Sequence, residues 1–148
     1  MTVLEKFNVR VYGLFIEEGK VLVTDEIRGG TKMTKFPGGG LEFNESFEEC
    51  LYREFMEELD QPINVGAYFY HNQFVQPSAF KANERLISFY YLVEQKGRRF
   101  FETVEQPFQL KENQEQCFRW LKVSDLLVDD VTYPIDKVVV KLLKERYI

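Results

Sequence analysis

Three consecutive glycines, Gly38-Gly39-Gly40, follow Phe36-Pro37 and stand shortly ahead of a helix dense in acidic residues. Glycine weakens any regular element, so a run of three divides the chain sharply and asks for a reason. On the N-terminal side, Lys6 to Ile16 is rich in Val, Phe and Tyr and reads as a strand. Glu17, Glu18 and Gly19 form a turn, and Val21 to Val23 begin the return strand of a hairpin. Arg28, Gly29, Gly30, Thr31 and Lys32 read as a mobile loop. On the C-terminal side, Ser46 to Leu59 is helical: Ser46 and Glu49 have the spacing of a capping box, and Pro62 ends the helix.

Further on, Ile63 to Phe74, Leu86 to Glu94 and Cys117 to Leu121 are β-like, and Ser124 to Leu127 suggests a short turn of helix. The last helix runs from Pro134, a good first helical residue, to Arg146, with Ile135, Val138, Val139, Leu142 and Leu143 at helical spacing. Strands interleaved with two helices predict an α/β class, with a mixed β-sheet covered on both faces. No linker, repeat or low-complexity tract interrupts the sequence, so residues 1–148 are expected to form a single domain.

The net charge of −5 excludes a broad nucleic-acid footprint, which needs a basic face. An acidic protein that binds a polyanion must use metal cations, a focused basic patch, or both. Aromatic residues make up 16% of the chain and can serve as core or as base-stacking surface; they also make a homodimer a reasonable assembly. Cys50 and Cys117 lack zinc-like spacing and are expected as buried reduced thiols. No apolar run is long enough for a signal peptide or a membrane span, so a cytoplasmic location without membrane partners is expected.

At about 100° per residue, Glu54, Glu57 and Glu58 share one face of the first helix, beside an apolar arc of Leu51, Phe55, Met56 and Leu59. Like charges at this spacing repel. A hard divalent cation reverses the sign, because Mg²⁺ seeks oxygen ligands and keeps waters and phosphates beside them. A flexible glycine loop next to such a face offers backbone donors and carbonyls to the same ligand. A solvated acidic surface is the plainer alternative, but no lysine stands at i+4 to balance the cluster.

The segment GGGLEFNESFEECLYREFMEELD resembles the Nudix box, G-x5-E-x7-R-E-U-x-E-E-x-G-U, where U is apolar. Gly39, Glu45, Arg53, Glu54, Phe55, Glu57 and Glu58 fall on the pattern in register, and Asp60 and Gln61 depart from it. Asp60 stands where the box has a glycine at the helix exit, and Asp tolerates a left-handed conformation better than most residues. Ile63 is a candidate for the apolar contact that Gln61 cannot make.

The resemblance implies a Nudix-like α/β/α sandwich and an Mg²⁺-dependent hydrolase, with Mn²⁺ as a substitute. Its substrate would be a small molecule in which a nucleoside diphosphate is linked to another group. Glu54, Glu57 and Glu58 would hold the metal together with the Gly38 carbonyl, and Arg53 would orient a box carboxylate with Glu45 as partner. Gly39 and Glu45 would be structural. The general base would be a box glutamate or an acid on a later loop, where Glu112 and Glu115 lie. Arg28, Lys32, Lys35 and Arg85 are candidates for phosphate contact or for balancing surface charge. Tyr68, Phe69, Tyr70, Phe74 or Phe89 to Tyr91 are candidates for base stacking or for core. His71, the only histidine, fits a satisfied polar residue near a strand end. The resemblance also leaves open a Nudix-fold module that binds a nucleotide without cleaving it, and an isoprenoid diphosphate isomerase.

Overall fold

The computed structural model describes residues 3–147. Its element order is β1 (Lys6–Glu17), β2 (Lys20–Arg28), β3 (Thr31–Lys35), β4 (Gly38–Gly40), α1 (Phe47–Leu59), β5 (Ile63–His71), β6 (Gln76–Pro77), β7 (Glu84–Gln95), β8 (Gln116–Lys122) and α2 (Pro134–Arg146). Single turns of 3-10 helix cover Val123–Asp125 and Val128–Asp130.

The alternation in β1 sets the architecture. Val11 and Phe15 turn to one face and Tyr12 and Leu14 to the other, the two-residue period of a strand. A strand that is apolar on both faces belongs in the middle of a covered sheet. β1 accordingly runs parallel to β7 on one side and meets β4 and the start of β2 on the other. The remaining pairings are antiparallel, and the eight strands form one mixed sheet.

The two helices cover opposite faces. α1 sets Cys50, Leu51, Phe55 and Leu59 against Val11, Phe15, Leu22 and Val93. α2 sets Ile135, Val139, Val140 and Leu143 against Tyr12, Leu14, Val21, Val23 and Tyr90. The result is the expected α/β/α sandwich. Gly13 lets α1 approach, since a Cβ there would stand 2.7 Å from the Phe55 ring. Burying a ring of that kind contributes roughly 1.5–3 kcal/mol.

The capping box forms as the sequence predicts: Glu49 N–H donates to Ser46 Oγ at 3.1 Å, and Ser46 N–H to Glu49 Oε1 at 2.9 Å. Asp60 adopts the left-handed conformation, with φ 53°. Gln61 is fully buried rather than a gap in the apolar pattern. Its side chain donates to the carbonyls of Pro62 and Arg98 and accepts from Phe100 N–H at 2.8 Å, tying the helix exit to the segment after β7. Ile63 joins the α1-side core.

Several expected boundaries move. Arg28 to Lys32 is a tight β2–β3 hairpin rather than a mobile loop, because Gly29 and Gly30, at φ 55° and 80°, supply the two positive angles of a two-residue turn. The three glycines form a strand, β4, rather than a flexible loop. β5 ends at His71 instead of Phe74, since Asn72 turns inward to accept from Ser88 N–H at 2.9 Å and donate to the Leu86 carbonyl at 3.1 Å. Both cysteines are buried free thiols, and burial pushes Cys50 up to about 12. Among the described residues, no helix is long and apolar enough to cross a membrane.

Candidate active site

β1 and β2 pair only at Ile16↔Val21 and Glu17↔Lys20, then diverge. β4 takes the edge of β1 that β2 leaves, opposite Arg10, Val11 and Tyr12. Between the splayed strands lies a cavity of about 340 Å³. Its floor carries the even-numbered side chains of β1 and β7, from Asn8 and Leu86 to Tyr12 and Tyr90. Its walls include Gly38 to Gly40, Glu54, Glu58, Glu26 and Lys35.

The glycines fit this wall for two separate reasons. At Gly38 the φ of +151° and the Val11 carbonyl, 2.1 Å from where a Cβ would stand, exclude any side chain. At Gly39 the neighbour is the Glu54 carboxylate itself. Flanking bonds from Gly13 N–H to the Pro37 carbonyl and from Leu41 N–H to the Val9 carbonyl set the alternation of the β1–β4 ladder. Gly39 therefore pairs with Val11, and the carbonyls of Gly38 and Gly40 turn away from β1.

Arg53 organises the carboxylates. Its Nε and Nη2 donate to Glu45 at 2.9 and 2.6 Å, and Nη2 also reaches the Gly40 carbonyl at 3.0 Å. Nη1 donates to Glu54 at 2.8 Å and to Glu57 at 3.3 Å. The guanidinium pulls Glu45 down to about 2, and the carboxylates raise Arg53 in return.

Glu58 differs from its neighbours. Oε1 accepts from Gln116 Nε2 at 3.1 Å, while Oε2 is buried without a hydrogen-bond partner. Burial raises this carboxyl to about 7, against Lys35 and Gln116 and with a smaller push from Glu26 and Glu54. Glu57 lies outside the cavity with its side chain 59% exposed. Glu54 and Glu58 therefore line the cavity together, whereas Glu57, 3.3 Å from Arg53, stands outside it. Among the described residues, no group of three or more carboxylate, histidine or cysteine side chains stands arranged to hold a metal ion.

The chain matches the NUDIX domain over residues 5–143. It belongs to the Nudix family. With that membership it is a Nudix-type pyrophosphohydrolase. The MutT protein of Methanosarcina mazei Go1 superposes with a TM-score of 0.70 at 15% identity, covering 96% of each chain. The ORF135 protein of E. coli gives 0.68 at 18%, covering 95% of this chain and 90% of that one. An ADP-ribose pyrophosphatase from Streptococcus suis gives 0.60 at 17%, covering 94% and 90%. At these identities the likeness establishes the fold alone. No curated protein matches the sequence.

The Nudix cavity also holds charges that lie outside the box. Lys35 Nζ sits 3.1 Å from Glu26. Burial works to lower this lysine, but Tyr12, Glu26 and Glu58 outweigh it and hold it above its ordinary value. Arg10 Nε donates to the Tyr12 hydroxyl at 2.6 Å. Asp136, at the start of α2, accepts from the Tyr90 hydroxyl at 2.5 Å; burial raises it to about 6 against that bond and against Lys35.

Arg28 and Lys35 of the expected phosphate contacts line the cavity. Lys32 instead lies over Phe108 and Arg85 over Phe7, both off the cavity. Glu112 and Glu115 are exposed and do not line it either; Gln116 turns to Glu58, so strand alternation points the preceding Glu115 away. Of the expected stacking aromatics only Tyr90 reaches the cavity, and it is buried in the core. His71 ends β5 between Tyr68 and Gln73, at 2.7 and 3.0 Å.

Sequence reasoning missed Glu26, Arg10, Asp136 and Phe80. For Glu26 a signal existed: once Gly29-Gly30 is read as a two-residue turn, Glu26 falls diagonally across from Lys35 on the same face.

Proposed function

We propose that this Nudix hydrolase cleaves the diphosphate bond of a nucleoside diphosphate linked to a second group, with Mg²⁺, or Mn²⁺ in its place. The observation that supports it is the buried, unpartnered Oε2 of Glu58 beside Glu54 and the glycine strand. The donor set is all oxygen, as a hard divalent cation requires. Glu54, Glu58 and the Gly38 carbonyl would hold it, joined by Glu57 after its exposed side chain leaves Arg53. Bound there, such a cation would supply charge to offset the diphosphate and would lower the pKa of a water beside these carboxylates.

The chain's own residues supply the rest. Arg10 and Lys35 offer the focused cationic patch that an acidic protein needs for a polyanion. Arg53 orients Glu54 through its Nη1 hydrogen bond. Water adds to one phosphorus as the P–O bond to the bridging oxygen breaks, and its proton passes to a base. Glu58, which lines the cavity with one oxygen unpartnered, would serve either as a metal ligand or as that base. The likeness in fold to an ADP-ribose pyrophosphatase and a UDP-X diphosphatase makes nucleoside diphosphates the natural first substrates.

The test is a panel of nucleotide sugars, ADP-ribose, oxidised nucleoside triphosphates, dinucleoside polyphosphates and capped RNA ends, with and without Mg²⁺. A phosphorylated product that forms only with metal is expected, and Glu54→Gln should slow it by roughly 10²-fold or more. Tight nucleotide binding without turnover across the panel would overturn the hydrolase in favour of a sensor.

A further inference from the structure

Loop 78–83, between β6 and β7, forms one rim of the cavity, and the β2–β3 hairpin forms another. The loop is built rather than loose. Ser78 Oγ accepts from Phe80 N–H at 3.1 Å and from Lys81 N–H at 3.2 Å, and Ser78 N–H donates to the Glu84 carbonyl at 2.9 Å. These bonds present the Phe80 ring, 45% exposed, at the cavity wall. Across the mouth, the Arg28 guanidinium lies 4.5 Å from the centre of that ring. Among the described residues Arg28 makes no ion pair, so the ring is its one specific partner.

An exposed phenyl face that already holds a flat cation suits another flat group. Position along the strands says which. Gly39 and Glu54 stand level with Val11, whereas Pro77 is level with Arg85, which pairs with Phe7. Those levels lie four strand residues apart, about 13 Å. A nucleotide with its phosphates at Glu54 and the glycine strand would bring its base toward the Phe80 rim.

We propose that Phe80 is the stacking platform for the substrate's nucleobase, with the Arg28 guanidinium moving outward to cover the base's other face. This rests on the nucleoside-containing substrate of the preceding section. The exchange costs little, because Arg28 lies on an exposed hairpin end and one cation–π contact replaces another.

Binding of monophosphates to the Mg²⁺-loaded protein tests it apart from catalysis, because a monophosphate has no diphosphate bond to cleave. Adenosine 5′-monophosphate and ribose 5-phosphate, which differ by the base, are titrated calorimetrically against wild type, Phe80→Ala and Phe80→Trp. Wild type should favour the nucleotide, and Phe80→Ala should weaken it by roughly 5- to 150-fold while leaving ribose 5-phosphate unchanged. Phe80→Trp should retain the preference. No preference in wild type, or an equal loss for both ligands in Phe80→Ala, would overturn the platform. Metal-dependent turnover without base preference would sink this inference alone; base-selective binding without turnover would sink the hydrolase reading alone.

Discussion

A Cβ placed on Gly39 would stand 2.4 Å from the carboxyl carbon of Glu54. The strand and the helix therefore meet at the end of a flexible side chain, and substitution there displaces a carboxylate rather than the backbone. Gly39→Ala should fold with stability within about 1 kcal/mol of wild type. Its metal-dependent turnover should fall by up to roughly 10²-fold, since Glu54 no longer holds its place. Gly38→Ala is the contrast: its Cβ meets the Val11 carbonyl at 2.1 Å and its φ is +151°, so it should cost more than about 2 kcal/mol. Urea unfolding of both variants, beside their turnover, checks the pair.

Asp25 and Arg119 form the most buried ion pair away from the cavity, with Arg119 Nε and Nη2 donating at 2.6 and 2.9 Å. Thr34 Oγ1 and Phe108 N–H also donate to Asp25, so burial, which would raise this carboxyl, is outweighed and it sits below its ordinary value. Asp25→Ala would leave Arg119 buried and unpaired, and should cost about 3–5 kcal/mol in urea. The double variant Asp25→Leu with Arg119→Met should recover most of that loss, because no charge is then stranded.

Asp136 gives a pH signature of the opposite sign. Its carboxyl rises from the ordinary 3.8 to about 6 because it is buried. The folded chain thus binds this proton more tightly than the unfolded chain does. The associated stability is fully present below about pH 4 and is lost as pH rises to about 6. Asp136→Asn keeps an acceptor for Tyr90 and should remove this part of the slope. Thermal midpoints from pH 4 to pH 8 in chelator, compared with wild type, measure it; identical slopes would contradict the assignment.

The sandwich was legible in the sequence because its signals are local. The period of two in β1, the capping box at Ser46 and Glu49, and the apolar stripe of α2 each depend on adjacent residues. The box residues were legible from their spacing alone. What escaped depends on pairing. Nothing near Gly38 indicates that β2 will leave β1 and let the glycines take its edge, since that choice rests on Val11 and Tyr12, far back in the chain. Asp136 and Phe80 enter the cavity only through topology, one from the start of α2 and the other from the β6–β7 loop. Gln61 reads as a defect in the sequence because its partners, Arg98 and Phe100, lie beyond three further strands.

If Glu57 is a ligand of the proposed metal, it must first leave Arg53. A contact of 3.3 Å ties this exposed side chain to Arg53. Mg²⁺ at millimolar concentration should raise the melting temperature of wild type by linkage. Glu57→Gln should blunt that rise with little change in the metal-free midpoint, because an exposed pair contributes little. Equal responses from wild type and variant would remove Glu57 from the ligand set.

The general base is open to a direct comparison. Glu112 and Glu115 are exposed outside the cavity, whereas Glu58 lines it and keeps one oxygen unpartnered. A group that accepts a proton from the attacking water must come within hydrogen-bond reach of it. Glu112→Gln and Glu115→Gln should therefore each leave kcat and KM within about twofold of wild type. Glu58→Gln should lower kcat by roughly 10²-fold or more with a smaller change in KM, as for a group acting on the transition state. Because Glu58 is also proposed to hold the metal, the Mg²⁺-induced rise in melting temperature is measured on the same variant. A retained rise with kcat lost marks proton transfer, and a rise lost together with kcat marks ligation. A large fall in kcat for Glu115→Gln would instead require its loop to close over the cavity and would move the base there.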